Sequence, residues 1–166
     1  MSWTQADLDA AKRRMGSVKE SLTVRARFFV QGEPKAQPRP KARRVKNFVQ
    51  IYTPTTAKEW KQAIVKACLQ NAPKCVLTSP IRLSIVFYMP RPKSDFKSNG
   101  QLKSNAQTYH TKKPDIDNLA KAVMDAISDS GVIWHDDKQV CSIGCCKVYG
   151  YPEELGAEIN IQEVFY

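Results

Sequence analysis

The clearest alternation of apolar and polar positions runs over residues 81–89. Ile81, Leu83, Ile85 and Phe87 fall on one side of an extended chain, and Arg82, Ser84 and Tyr88 on the other. A period of two predicts a strand with one face on a core. Residues 22–30 repeat it with β-branched and aromatic residues, Arg25 and Arg27 alternating outward. Two other stretches follow the helical period. Trp60, Ile64, Ala67 and Cys68 form a stripe on a helix predicted over 56–71, capped by Thr56, with Glu59 completing a capping box and Pro73 ending it. Leu119, Ala122, Val123, Ala126 and Ile127 match the i, i+3, i+4, i+7, i+8 template over 117–129, and Ser130-Gly131 stops that helix. Shorter signals predict a helix over 4–14, a strand over 48–52 ended by Thr53-Pro54, and an extended piece at 132–134. Strands over 139–149 and 157–165 are joined by the turn Gly150-Tyr151-Pro152.

The breaks carry information too. Gly32, Pro34, Pro38 and Pro40 rule out regular structure over 32–47. Residues 90–114 read as a long polar loop, which inside a compact domain points to function or disorder. There is no internal repeat. The elements predict an α/β (α+β) fold, a single compact domain with a mixed sheet of four to five strands and two core helices. Residues 1–20 are an N-terminal extension with some helix, and 21–166 the domain.

Composition narrows the class. A chain of 166 residues is large enough to bury a core. No apolar run approaches the roughly 20 residues that span a membrane, and Met1 to Asp7 lacks the apolar core of a secretory signal. The expectation is a cytoplasmic protein with no membrane partner. The five cysteines are odd in number and include no C-x-x-C. They read as reduced thiols packed as small hydrophobes, with a zinc site from His135, Cys141, Cys145 or Cys146 as the remote alternative.

Charge changes the picture most. Residues 1–114 hold 23 Lys/Arg and six Asp/Glu, a net of +17, and residues 115–166 hold three and ten, a net of −7, giving the +10 of the whole chain. Such asymmetry points to nucleic acid. Two basic runs, 34–46 and 91–113, alternate with Phe48, Tyr52, Phe96, Tyr109 and His110, a mixture suited to backbone contacts and base stacking. Lysine-rich loops that are merely solvated are the plainer alternative.

The acids are not scattered. Asp115 and Asp117 stand two apart, and Asp136-Asp137 follows one helix-length later. Lys113-Pro114 enforces extended backbone before Asp115, so Asp115 and Asp117 point the same way, with Asp117 or Asn118 as the helix cap. Lys121 is one turn beyond Asp117, so Asp115, Asp117 and Lys121 can converge. Asp136 and Asp137, if extended, point apart, so one of them joins. Clustered carboxylates select a hard cation, Mg²⁺ or Mn²⁺, which activates water for phosphodiester chemistry. Spacing alone fits ordinary helix-start acids with an i+4 lysine just as simply, and D-x-D also occurs at nucleotide-sugar and phosphorylation sites.

The stretch Lys113-Pro-Asp-Ile-Asp-Asn-Leu-Ala-Lys121, then Met124-Asp-Ala-Ile127, then Gly131-Val-Ile-Trp-His-Asp-Asp-Lys-Gln-Val140 closely resembles the core of the RusA family of Holliday-junction resolvases, often encoded by phages and prophages. Gly32-Glu-Pro-Lys-Ala-Gln-Pro-Arg39 and Tyr52-Thr-Pro-Thr-Thr-Ala-Lys-Glu-Trp60 agree more weakly, and the likeness covers roughly 24–149. The resemblance implies a crossover junction endodeoxyribonuclease of DNA recombination and repair, working with Mg²⁺ as a homodimer on branched DNA. It makes Asp115, Asp117 and Asp137 the metal ligands, with Asp136 the alternative third, and Lys121 the catalytic lysine. Lys35, Arg39, Lys41, Arg43, Arg44, Lys46, Arg91, Lys93, Lys97, Lys112 and Lys113 are the candidate DNA contacts. The rivals are a non-catalytic branched-DNA-binding protein and a metal nuclease acting on flap DNA or RNA. Residues 1–20 have no counterpart, and Gln37-Pro38 departs from the family's basic loop.

Overall fold

The computed structural model describes residues 21–45, 48–52 and 54–165. The helix expected over 4–14, and Lys46 of the basic run, lie outside them. Six strands and two α-helices follow one another: β1 (Ser21–Gln31), β2 (Lys41–Val45), β3 (Phe48–Tyr52), α1 (Lys58–Gln70), β4 (Ile81–Pro90), α2 (Ile116–Ser130), β5 (Val140–Gly150) and β6 (Gly156–Phe165). Four strands form a mixed sheet in the order β1-β6-β4-β5, and β2 and β3 form a separate antiparallel ribbon. β6 runs antiparallel to both β1 and β4, while β5 lies parallel to β4. A parallel neighbour needs a crossover, and the chain from 91 to 139, with α2 inside it, supplies one. The α+β class and mixed sheet with two helices are as the sequence patterns predict.

Alternation over β4 is realised to the residue. Ile81, Leu83, Ile85, Phe87 and Met89 are buried, and the residues between them are half-buried or exposed. They meet Ala157, Ile159 and Ile161 of β6, the Trp60 and Ile64 stripe of α1, and Leu119, Val123, Ala126 and Ile127 of α2 in one core. Fully burying each large side chain there is worth about 1.5–3 kcal/mol. The sheet needs Gly156 where β1 crosses it, because a Cβ at that position would collide with the Val30 carbonyl oxygen and the Phe29 ring. At the bulge between Val24 and Ala26, Arg25 turns its guanidinium onto the buried Glu163 carboxylate at 2.5 Å.

Three boundaries differ from the patterns. Residues 32–47 are not wholly irregular, because β2 forms as soon as Pro40 is passed and pairs Lys41 with Tyr52 through to Val45 with Phe48. The prolines break structure only up to position 40, and basic side chains are compatible with an exposed ribbon. The first helix starts at Lys58, not at 56. Its cap is the buried Ala57, with no side-chain cap bond, so the Thr56–Glu59 box does not form. The Lys58 N–H instead donates to the Thr55 carbonyl, and the Asn71 side chain closes the far end on Ala67 O at 2.9 Å. The second helix is capped at Asp115, ahead of Asp117 and Asn118, and ends on Gly131, which takes the left-handed φ of 66° that favours glycine.

Candidate active site

The last part of the 90–114 loop is fastened to the outer edge of β5. The Tyr149 N–H donates to Thr108 O at 2.9 Å and the His110 N–H to Lys147 O at 3.0 Å, with Tyr109 bridging antiparallel to Val148. The Lys147 side chain then carries the attachment forward. Its Nζ donates to Lys112 O at 2.8 Å and to Pro114 O at 2.6 Å, on either side of the cis Lys113–Pro114 bond. Asp115 follows in extended backbone (φ −71°, ψ 143°), and its carbonyl accepts the Leu119 N–H as the first bond of α2. Its carboxylate makes no capping bond. Asp117 stands in the first turn.

Both carboxylates are exposed and line one open recess of about 600 Å³, together with Tyr109, His110, Lys112, Lys113, Cys146 and Lys147. Asp115 and Lys113 also border a second recess, of about 570 Å³, whose opposite wall is Glu33, Lys35, Gln37 and Arg39. The Gln37 N–H donates to Asn118 O at 2.9 Å, joining the proline-rich segment to the start of α2. Cations from three separate stretches therefore surround the first acidic pair. Lys35 is 2.7 Å from Glu33, a half-exposed pair that a phosphate could compete for.

The second acidic pair forms a short 3₁₀ turn, Asp137–Gln139. Asp136 caps it: Oδ1 accepts the Lys138 N–H at 2.9 Å, and that bond, with burial opposing it and the Lys138 charge assisting, holds its carboxyl below the usual aspartate range. Gln139 locks the turn in place. Its Oε1 accepts the His135 and Asp136 N–H groups, and its Nε2 donates to Leu77 O at 2.9 Å and Ser79 O at 3.3 Å. Asp137 is half-buried and does not line the recess of Asp115 and Asp117. Among the described residues, no three of His, Cys, Asp and Glu stand close enough to hold a metal ion. Lys121, expected beside Asp117, lies 3.6 Å from Asp125 on the next turn, and Asp125 also receives Lys61 of α1 at 3.3 Å.

Of the candidate DNA contacts, Lys93, Lys97, Lys112, Lys113, Arg39, Arg43 and Arg44 are exposed or half-exposed, and β2 carries Lys41. Arg91 differs from them in exposure. Its side chain is 8% exposed, ion-paired with Asp95 at 3.0 Å, bonded to Gln107 O and laid over the Tyr149 ring. These contacts pin the base of the loop. The cysteines divide as well. Cys68 is buried and Cys145 half-buried, burial pushing both thiols up to about 11, while Cys75 and Cys141 are exposed.

Lys147 escaped the patterns, while Gln139 stood only within the stretch that carries the family resemblance and His110 only among the rings interleaved with the basic runs. Lys147 had a signal, being the one basic residue in the otherwise neutral strand Val140 to Gly150. His110 is buried in the recess wall, edge-on to Tyr149, with Nδ1 lacking a protein partner. Burial first, and then the Lys147 charge, lower its pKa.

The profile of the family described as endodeoxyribonuclease RusA matches residues 31–162. The uncharacterized protein YqaN of Bacillus subtilis (strain 168) is 34% identical over 140 residues, covering 83% of this chain and 96% of that protein. The match includes both recesses, α2 and the 136–139 turn, and the chain belongs to the RusA endodeoxyribonuclease family.

Proposed function

We propose that this chain is a Mg²⁺-dependent endodeoxyribonuclease that resolves four-way DNA junctions by paired symmetric nicks, working as a C2 homodimer. The observation that carries it is Asp115 and Asp117 sharing one open recess with Lys112 and Lys113, with Lys35 and Arg39 lining the adjoining one. The cations draw in a phosphate backbone. Two carboxylates at the place where it arrives would repel it unless a divalent cation lies between them.

The donor set fits that ion. Mg²⁺ is commonly held by one or two carboxylates, with substrate phosphate oxygens and waters completing the shell. Asp115 and Asp117 would hold it from the protein side, and the family motif adds Asp137. Asp136, engaged as a cap, is the weaker third candidate. An ion held there would supply an activated water and neutralise charge at phosphorus. The net reaction is hydrolysis of the P–O3′ bond, the water oxygen going to phosphorus and one of its protons to O3′, which leaves a 5′-phosphate and a 3′-hydroxyl. Lys121, 59% exposed and held by a surface pair with Asp125, can turn to the phosphate and stabilise the transition state. Mn²⁺ has the same oxygen preference and should substitute. Such work belongs to recombination and repair in the bacterial cytoplasm or in a phage-infected cell. Among the described residues no helix is long and apolar enough to cross a membrane.

The test is a labelled four-way junction beside linear duplex, a flap and RNA, with and without Mg²⁺. Junction-selective cutting that needs Mg²⁺ is the expected result. Binding with no metal-dependent cutting would leave a junction-binding protein instead, and preferential cutting of the flap or RNA would reassign the substrate. Asp117→Asn should lose cutting by about 100-fold or more and bind the junction at least as tightly, because one negative charge is gone.

A further inference from the structure

We propose that Lys147 is a positioning residue for the metal-binding carboxylates, an inference that rests on the reading above. It acts by clamping the backbone that leads into Asp115. Lys147 is half-buried on β5, between Cys146 and Val148, in the middle of a strand held along its length by β4. From that rigid base its Nζ donates to Lys112 O at 2.8 Å and to Pro114 O at 2.6 Å. Its own carbonyl accepts the His110 N–H. A single residue thus holds the loop at 110, 112 and 114, and the next residue is Asp115.

Without these bonds Asp115 would hang from a loop end. Between Tyr109 and the first helical bond at Asp115 O, the His110 bond and the two made by Nζ attach the backbone to the sheet. The Asp115 carboxylate forms no cap bond that would orient it. A site that must place oxygens around a small ion needs its ligands held by a supporting shell. The charge of Lys147 also belongs there. An ammonium facing two carbonyl oxygens is well solvated by the protein, and it lines the same recess as Asp115 and Asp117, where it offsets their mutual repulsion before an ion arrives. This differs from the part assigned to Lys121, which is exposed on α2 and pairs with Asp125 on its own helix.

Lys147→Met removes the clamp and keeps the stem. Mn²⁺ affinity, read from the loss of the free-ion electron paramagnetic resonance signal with no DNA present, should weaken about 10- to 100-fold, the usual cost of losing an outer-shell partner. Junction binding in EDTA should stay within about twofold with an unchanged salt dependence, because Lys147 faces the loop backbone and not a phosphate. Lys147→Arg, which can reach both carbonyls, should recover most of the Mn²⁺ affinity. If the Met variant does not fold, Lys147→Gln, whose amide reaches one carbonyl at most, carries the same expectation. Wild-type Mn²⁺ affinity in a folded Met or Gln variant overturns the proposal. So does weaker junction binding in EDTA with a salt slope smaller by about one, which would make Lys147 a phosphate ligand. Wild-type protein that binds no Mn²⁺ and cuts nothing is the separate outcome that defeats the nuclease reading itself.

Discussion

Asp136 accepts the Lys138 N–H with Oδ1 and lies 3.4 Å from the Lys138 ammonium with Oδ2, so both its oxygens are engaged locally. Its neighbour Asp137 is inside the turn and does not cap it. The two therefore respond differently to the same change. Asn caps about as well as Asp, so Asp136→Asn should leave the turn formed and cutting close to wild type. Asp137→Asn should fold normally and lose cutting by about 100-fold, the scale of removing one charge-stabilising group. Junction cleavage and a melting curve on both variants check this, and the opposite ranking would transfer the ligand role to Asp136. The pH sense follows from the cap. The folded carboxyl of Asp136 titrates below its ordinary 3.8, so its contribution to stability is present above that value and is lost only as pH falls through the folded one. Acid loosening of this turn therefore lies well below the range in which cutting would be assayed. Neither assignment was readable from adjacency alone, because an extended pair and a capped 3₁₀ turn share the same letters. Gln139, which decides between them, closes the turn locally on His135 and Asp136 but is itself anchored to Leu77 and Ser79, about 60 positions away.

Elements with one face on the core were legible from the sequence. β4, β1 and α2 each bury one side, and burial of one side is what writes a period into the chain. Among the described side chains of the β2–β3 ribbon there is no such buried side. Phe48, Val49 and Ile51 are 77, 70 and 72% exposed, so Lys-Ala-Arg-Arg-Val carries no period and reads as loop. The helix starts were misplaced for a related reason. Thr56 and Glu59 form a local capping pattern, yet the buried Ala57 takes the cap, because packing against the core outweighs roughly 1 kcal/mol of capping. A lone two-stranded ribbon is marginal in water, and the proposed function would give its exposed cations a use against a phosphate backbone. Replacing Arg43 and Arg44 by Gln should leave the melting temperature unchanged, because both lie outside the core. It should also reduce the salt slope of junction binding by about two, one for each arginine that neutralises a phosphate. A fluorescence-anisotropy titration at several salt concentrations measures it, and an unchanged slope would place the DNA elsewhere.

Across the whole molecule, charge and topology put the acids and the cations in one place by different routes. The cations arrive on the segment after β1 and on the loop between β4 and α2, while both acids of the first pair ride on the start of α2. The charge split between residues 1–114 and 115–166 announced this division, and the D-x-D-N-x-x-K spacing announced the acids. A lone lysine in a neutral strand marked Lys147, but not what it clamps, because its partners lie 33 and 35 positions earlier. A single chain of 18.8 kDa presents one such site, yet resolving a junction takes two cuts on opposed strands. The proposed two-fold pairing would supply the second site on a substrate that is itself nearly two-fold. Mixing subunits tests this without a structure of the pair. With wild-type protein diluted tenfold into Asp117→Asn and allowed to exchange, about nine in ten wild-type subunits would sit in mixed C2 pairs. Each mixed pair can cut one strand only, so nicked junctions should accumulate and ligatable duplex products should fall about tenfold per wild-type subunit. Monomers acting independently would instead yield both cuts in proportion to the wild-type protein present, whatever the excess of the variant.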